Sequence, residues 1–121
     1  MRKKVFKQDE KKRLYEHALL ASGKAYAPYS RFRVGAALMG ENGKVYTGVN
    51  VESASYGLTL CAERGALARA VADGCRSFRA MACVEKKKGL ILPCGACRQM
   101  LIEFSPKMKI LVRKNCSLKF V

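Results

Sequence analysis

Leu14, Ala18, Ala21 and Ala25 recur at helical spacing and predict a helix over residues 9–25, with Asp9 placed to cap its start. Ala27-Pro28-Tyr29-Ser30 breaks it, because proline biases the residue before it out of the helical region. Residues 32–39 and 44–51 are short and rich in strand-forming side chains. Between them, Glu41-Asn42-Gly43 carries Asn-Gly, the strongest short hairpin signal. Residues 61–72 predict a second helix, ended by Gly74, and residues 77–84 a buried strand. Lys86-Lys87-Lys88 reads as a solvated loop, residues 95–104 as a short helix that stops before Pro106, and residues 108–113 as a strand. The closing KNCSLKFV offers one more turn or strand fragment. The order α-β-β-α-β-α-β predicts an α/β fold with a mixed central sheet and helices on its faces.

At 121 residues and 13.4 kDa the chain has room for one core, so residues 1–121 are expected to form a single domain; domains usually hold roughly 100–150 residues. Half the residues are hydrophobic and 27% are charged, the balance of a soluble globular protein. No apolar run approaches the ~20 residues of a membrane span. The basic start MRKKVFKQDEKK is not followed by an apolar stretch, so a secretory leader is not expected and a cytoplasmic location is. Lys and Arg number 24 against nine acids, a net charge of +15. Residues 1–13 and residues 104–121 each contribute +5 of it. Such a surplus attracts polyanions without dictating a fold, and weak polyanion binding is expected from it.

The candidate chemistry lies in the cysteines: Cys61, Cys75, Cys83, Cys94, Cys97 and Cys116. An even count in a short secreted chain would suggest disulfides, but no leader supports that reading. Cys94-Gly-Ala-Cys97 follows Pro93 and opens one predicted helix, and Cys61-Ala62-Glu63 opens another. Unpaired N–H groups and the helix dipole at such starts favour thiolate over thiol, the form a zinc ion binds. Three thiolates could fill three corners of a tetrahedral zinc site and leave the fourth for water. A lone C-x-x-C could equally be a redox pair or half a zinc knuckle, and Cys75, Cys83 or Cys116 could close a purely structural site. The combination C-A-E with P-C-x-x-C is more specific. It matches the zinc-deaminase pattern with cysteine in place of its histidine. Glu63, two residues after a ligand, can reach zinc-activated water without ligating the metal.

Four ordered blocks carry a family resemblance. They are Tyr26-Ala-Pro-Tyr-Ser-Arg-Phe-Arg-Val-Gly-Ala-Ala37, Gly48-Val-Asn-Val-Glu52, Cys61-Ala-Glu-Arg64 and Pro93-Cys-Gly-Ala-Cys-Arg-Gln99. Over roughly residues 9–113 the chain resembles cytidine deaminases of the short, three-cysteine, homotetrameric type. The resemblance implies a three-layer α/β/α sandwich. It implies Zn2+ on Cys61, Cys94 and Cys97, with Glu63 as the proton shuttle. Phe32 would lie against the pyrimidine ring, Asn50 and Glu52 would hold the ribose hydroxyls, and Arg64 would hydrogen-bond the thiolates. Strand positions i and i+2 share a face, which suits the Asn50–Glu52 pair. The implied reaction is hydrolytic conversion of cytidine or deoxycytidine to the uracil nucleoside and ammonia, in pyrimidine salvage, by a homotetramer or a dimer.

Family members usually continue through a further strand, a helix and a Leu-Leu-Pro segment with a phenylalanine that helps close a neighbouring active site. This sequence stops at Lys119-Phe120-Val121. Weakened closure over the base is the corresponding expectation, with weak nucleoside turnover, a basic nucleic-acid-binding role or another aminopyrimidine target as the alternative. His17 reads as a helix-surface or packing residue, Cys75 and Cys83 as buried thiols, and Tyr26 and Tyr56 as packing or interface residues.

Overall fold

Residues 8–93, 95–114 and 117–120 are described by a computed structural model. Gln8–Ser22 forms α1, followed by strands β1 (Val34–Gly40) and β2 (Val45–Val49). A single 3-10 turn at Tyr56–Leu58 precedes α2 (Ala62–Ala72). Then come β3 (Phe78–Glu85), β4 (Gly89–Ile91), α3 (Gly95–Phe104), β5 (Lys109–Lys114) and β6 (Ser117–Phe120). The sheet runs β2-β1-β3-β5-β6, with β4 pairing β3 off this path. It is mixed: β3 and β5 are parallel, and the remaining pairs are antiparallel.

Every residue of β1 is buried, and all of β3 but Arg79. Their alternation sorts side chains into two cores, because successive strand residues point to opposite faces. Ala36, Leu38, Met81 and Cys83 pack with Ala62, Ala66, Leu67 and Ala70 of α2 and Leu101 of α3. Ala37, Met39, Ala80, Ala82 and Val84 pack with Leu14 and Ala18 of α1. One helix on one face and two on the other make the three-layer α/β/α sandwich expected from the family resemblance.

The elements differ from the sequence reading mainly at their ends. The first helix stops at Ser22 rather than residue 25, where the Ser22 hydroxyl donates to the Leu19 carbonyl. Its start at Gln8 puts Asp9 inside the first turn rather than at the cap. The Asn42-Gly43 hairpin forms as anticipated, with Gly43 at φ +83° and the Asn42 side chain accepting from Lys44 N–H. Strand β4 was not anticipated. It opens on Gly89, another positive-φ glycine, and its three residues are too few to show alternation.

Two glycines let helices sit almost on the sheet backbone. A Cβ on Gly35 would lie 2.1 Å from the Ala18 carbonyl oxygen of α1. On Gly48 of β2 it would lie 2.3 Å from Ala66 N and 2.4 Å from the Ala62 oxygen of α2. The helix meets Gly48 with Gly65, itself a glycine, where an added Cβ would lie 3.7 Å from the Gly48 Cα. A Gly48→Ala change therefore forces the first turn of α2 off β2. We expect it to cost about 1–3 kcal/mol in chemical denaturation, the usual penalty for overpacking. Gly57→Ala, which meets nothing within 4 Å, should stay within about 0.5 kcal/mol of the parent.

Candidate functional site

Beyond β2 the chain is stitched on both sides. Val51 forms bridges with Tyr26 and with Leu60. Val51 N–H donates to Leu60 O and Leu60 N–H to Val51 O, each at 2.9 Å. Tyr26 N–H donates to Asn50 O, and Glu52 N–H donates to Tyr26 O. The next residue after Leu60 is Cys61. The segments Asn50–Glu52 and Cys61–Arg64 are thus held together chiefly by backbone bonds, with Ser53 N–H donating to Thr59 Oγ1 beside them.

Cys61 is the N-cap of α2, with extended backbone (φ −74°, ψ 149°) and no side-chain capping bond. Its carbonyl accepts from Gly65 N–H, while its sulfur accepts from Arg64 NH2 at 3.6 Å. The same Arg64 nitrogen donates to the Thr59 carbonyl at 3.3 Å. Arg64 thereby spans the bend into the helix and puts positive charge on the cysteine sulfur. Glu63 is buried in the first helical turn.

Cys97 is fully buried in α3. Cys94 lies outside the described residues, as do Cys116 and the basic segment 1–7. Among the described residues, no group of three or more His, Cys, Asp or Glu side chains is placed to hold a metal. The donor chemistry nevertheless fits zinc. Cys61 has a sulfur that caps nothing, a helix-start environment and an arginine donor, which are the conditions that stabilise a metal-binding thiolate.

The two residues expected at the ribose also shape the neighbouring loop. Asn50 is buried; its Oδ1 accepts from Val34 N–H at 2.9 Å and its Nδ2 donates to Phe32 O at 2.7 Å. Glu52 Oε1 accepts from Tyr29 and Ser30 N–H, at 3.0 and 3.1 Å, and Oε2 accepts from the Ser30 hydroxyl. The Ser30 hydroxyl and N–H, helped by Tyr29 N–H, outweigh partial burial and hold the Glu52 carboxyl below its usual 4.5. Phe32, 38% exposed, sits at the end of this loop, its N–H donating to Ser30 Oγ. Arg31, just before it, takes the left-handed φ of +60°.

Sequence reasoning missed two supports. Ser30 lies inside a quoted block, but its bonds to Glu52 join positions 22 apart. Glu85 is 3% exposed, and its Oε1 accepts from Lys87 and Lys88 N–H at 2.9 and 2.8 Å. Burial alone would push its carboxyl up; N–H donors from Lys88, Lys87 and Arg33 prevail and hold it below its usual value. An acid followed directly by three lysines was a legible sign of such a side-chain-to-backbone turn. The other cysteines fall where expected: Cys75 and Cys83 are buried, and Cys75 Sγ donates to Ser77 O.

Residues 8–113 match the family model described as the cytidine and deoxycytidylate deaminase zinc-binding region. A cytidine deaminase of Sporosarcina psychrophila is 54% identical over 84 residues, covering 69% of this chain and 62% of that protein. The chain therefore spans somewhat less than two thirds of that relative's length. A cytidine deaminase of Halalkalibacterium halodurans is 50% identical over 97 residues, 80% of this chain and 74% of its own. The crystal structure of cytidine deaminase from Mycobacterium tuberculosis superposes with a TM-score of 0.81 at 40% identity, covering 90% of this chain and 88% of that one. With a family match across nearly its whole length and a shared fold, the chain belongs to the cytidine and deoxycytidylate deaminase family.

Proposed function

We propose that this chain catalyses the zinc-dependent hydrolytic deamination of cytidine and deoxycytidine, releasing ammonia. The observation that carries the reading is the Val51–Leu60 pairing, which brings Asn50 and Glu52 beside the helix start bearing Cys61, Glu63 and Arg64. The proposed metal ligands are Cys61, Cys94 and Cys97. Zinc bound there supplies Lewis acidity that makes water acidic enough to serve as nucleophile near neutral pH.

The remaining roles belong to the chain. Glu63 accepts one proton from water and delivers it to ring N3, then takes the second from the hydroxyl added at C4 and passes it to the departing amine, so that ammonia leaves as the carbonyl forms. Its burial keeps bulk water from taking over that transfer. Arg64 offsets the charge of the thiolates through Cys61 Sγ. Phe32 offers a partly exposed ring to the pyrimidine. Asn50 and Glu52 retain capacity for ribose hydroxyls after their loop contacts. An amide has two N–H donors and two acceptor lone pairs, and a carboxylate about four acceptor sites, of which Glu52 fills three.

The same reading assigns the protein to pyrimidine salvage, in the cytoplasm, as a homotetramer. An apolar surface at Leu92, Met100 and Ile102, 57%, 41% and 53% exposed, supports assembly with further copies. No helix among the described residues is long and apolar enough to cross a membrane. Light scattering of the purified protein tests the assembly, with four chains expected and a monomer contradicting it.

Ultraviolet loss of cytosine absorbance tests the activity. Turnover should vanish with a chelator and return with zinc. Glu63→Gln should cut kcat about 10²–10⁴-fold, the range general acid–base catalysis supplies, at unchanged zinc content. Loss of zinc in that variant would make Glu63 a structural group instead. Arg64→Ala should lower zinc affinity or activity about 10–100-fold, as loss of a ligand-supporting bond does. The Glu52 brace has a pH signature. Its folded carboxyl is depressed, so the stabilisation is present above the unfolded value and is lost as pH falls through the folded one. Carbon-detected titration should place Glu52 below 4.5, and Ser30→Ala should move it upward. No movement would show that the hydroxyl does not set it.

A further inference from the structure

Strand β2 closes one side of the sheet, and β1 is its only strand partner among the described residues. The residues around it show which way its backbone faces. Lys44 O accepts from Gly40 N–H, and Asn50 N–H donates to Val34 O, so both face β1. Pairing in an antiparallel ladder alternates along the strand. Tyr46 and Gly48 therefore face β1 as well, and the N–H and C=O groups of Val45, Thr47 and Val49 face outward. Val51 continues this outward row, and there Leu60 has already joined by an antiparallel bridge. The chain then turns into α2. Among the described residues, nothing bonds to the outward groups of Val45, Thr47 or Val49.

Two cavities of about 630 and 430 Å³ run along this edge and share Val45, Thr47 and Arg69. Four exposed cations line them, Arg13, Lys24, Lys44 and Arg69, against one acid, Asp73. Lys44 Nζ and the Tyr46 hydroxyl already engage that acid. Arg13, Lys24 and Arg69 have no ion pair among the described residues. Arg69 Nη1 donates to Thr47 Oγ1 at 3.3 Å, so its guanidinium is held at the rim with further N–H groups to offer. Leu20, 75% exposed, adds an apolar wall.

We propose that the free edge of β2 docks an acidic, extended peptide segment of another protein, which adds to the sheet as a further strand. The backbone row supplies alternating donors and acceptors, the recognition that strand addition uses. The cations choose the partner. Carboxylates on the incoming segment meet Arg13, Lys24 and Arg69, whereas a second copy of this chain, at +15, would set the same cations against one another. A polynucleotide would use the charges but leave the row of amides and carbonyls unmatched.

Calorimetric titration of the full chain with acetyl-(Glu-Val)4-amide tests it. Acetyl-(Lys-Val)4-amide and an oligothymidylate of about eight residues are the comparators, and amide hydrogen exchange is the second readout. At low salt the glutamate peptide should bind at least about tenfold more tightly than the lysine peptide. That advantage should shrink at least about threefold at about 300 mM salt. Bound peptide should slow exchange at Val45, Thr47 and Val49 at least about tenfold and leave Tyr46 and Gly48, already paired to β1, nearly unchanged. Thr47→Pro removes the central outward N–H without deleting a bond to β1, a change that edge strands accept, and should weaken binding at least about tenfold. Its thermal midpoint is checked against the parent. Lys24→Glu/Arg69→Glu, at two exposed positions, should weaken binding as much through charge. Lys86→Glu/Lys87→Glu, which lines neither cavity, should change it less than about threefold. Equal affinity for the two peptides, or binding that leaves the three outward amides exchanging freely, overturns strand addition. A mass by light scattering that falls on Thr47→Pro would place a second copy on this edge. Oligothymidylate that binds more tightly than the glutamate peptide, and is lost with Lys24→Glu/Arg69→Glu, would place a nucleic acid there. Either result overturns the peptide reading.

Discussion

The close approach of α2 to β2 at Gly48 is the contact from which the site is assembled. A methyl group there would overlap the Ala62 oxygen and the Ala66 nitrogen, so the helix can rest on the strand only if that position is glycine. The helix brings Cys61, Glu63 and Arg64, and the strand continues into Asn50 and Glu52. The Val51–Leu60 bonds then lock the two segments one residue before the helix cap. A helix held farther from the sheet would stretch that pairing. The placement of these side chains therefore depends on a residue that has no side chain of its own.

The rest of the sheet makes this approach affordable in space. Its two central strands are buried on both faces, with alanine at Ala36, Ala37, Ala80 and Ala82. Small side chains in strands reduce the distance between layers, and α1 uses the same device at Gly35 against Ala18. Burial on two sides also fixes register, since a one-residue slip would exchange the two cores. The end of β3, where Glu85 sits, is consequently held in place relative to the start of β1, where Phe32 and Arg33 lead in.

Local chemistry made much of this legible. The Asn42-Gly43 hairpin and the helix starts at residues 62 and 95 follow from short-range sterics and capping, whereas the first helix ends at Ser22, before Pro28 is reached. The cysteine spacing pointed toward zinc, and the family model that matches the chain is described as a zinc-binding region. What escaped was long-range or too short to pattern. Strand β4 spans three residues. The first helix ends early where Gly23 and Lys24 N–H turn to the carbonyls of Leu20 and Ala21, three residues back, a tightening that no periodicity records. The Ser30–Glu52 contact joins two motifs that each seemed complete alone.

That contact changes what Glu52 means. A side chain read only as a ribose acceptor is also the brace of the loop that carries Phe32, and Asn50 braces the same loop from the other side through Phe32 O and Val34 N. Under the proposed function, a hydroxyl arriving at Glu52 meets atoms already engaged with Ser30. Binding and loop order then draw on one set of acceptors. A ligand that adds a bond to the free acceptor site tightens the loop, whereas one that displaces Ser30 loosens it and moves the ring meant to meet the base. On that reading sugar and base contacts would be coupled through a single carboxylate, while Glu85 fixes the lysine loop whose Lys88 ammonium lies 5.4 Å from the centre of the same ring.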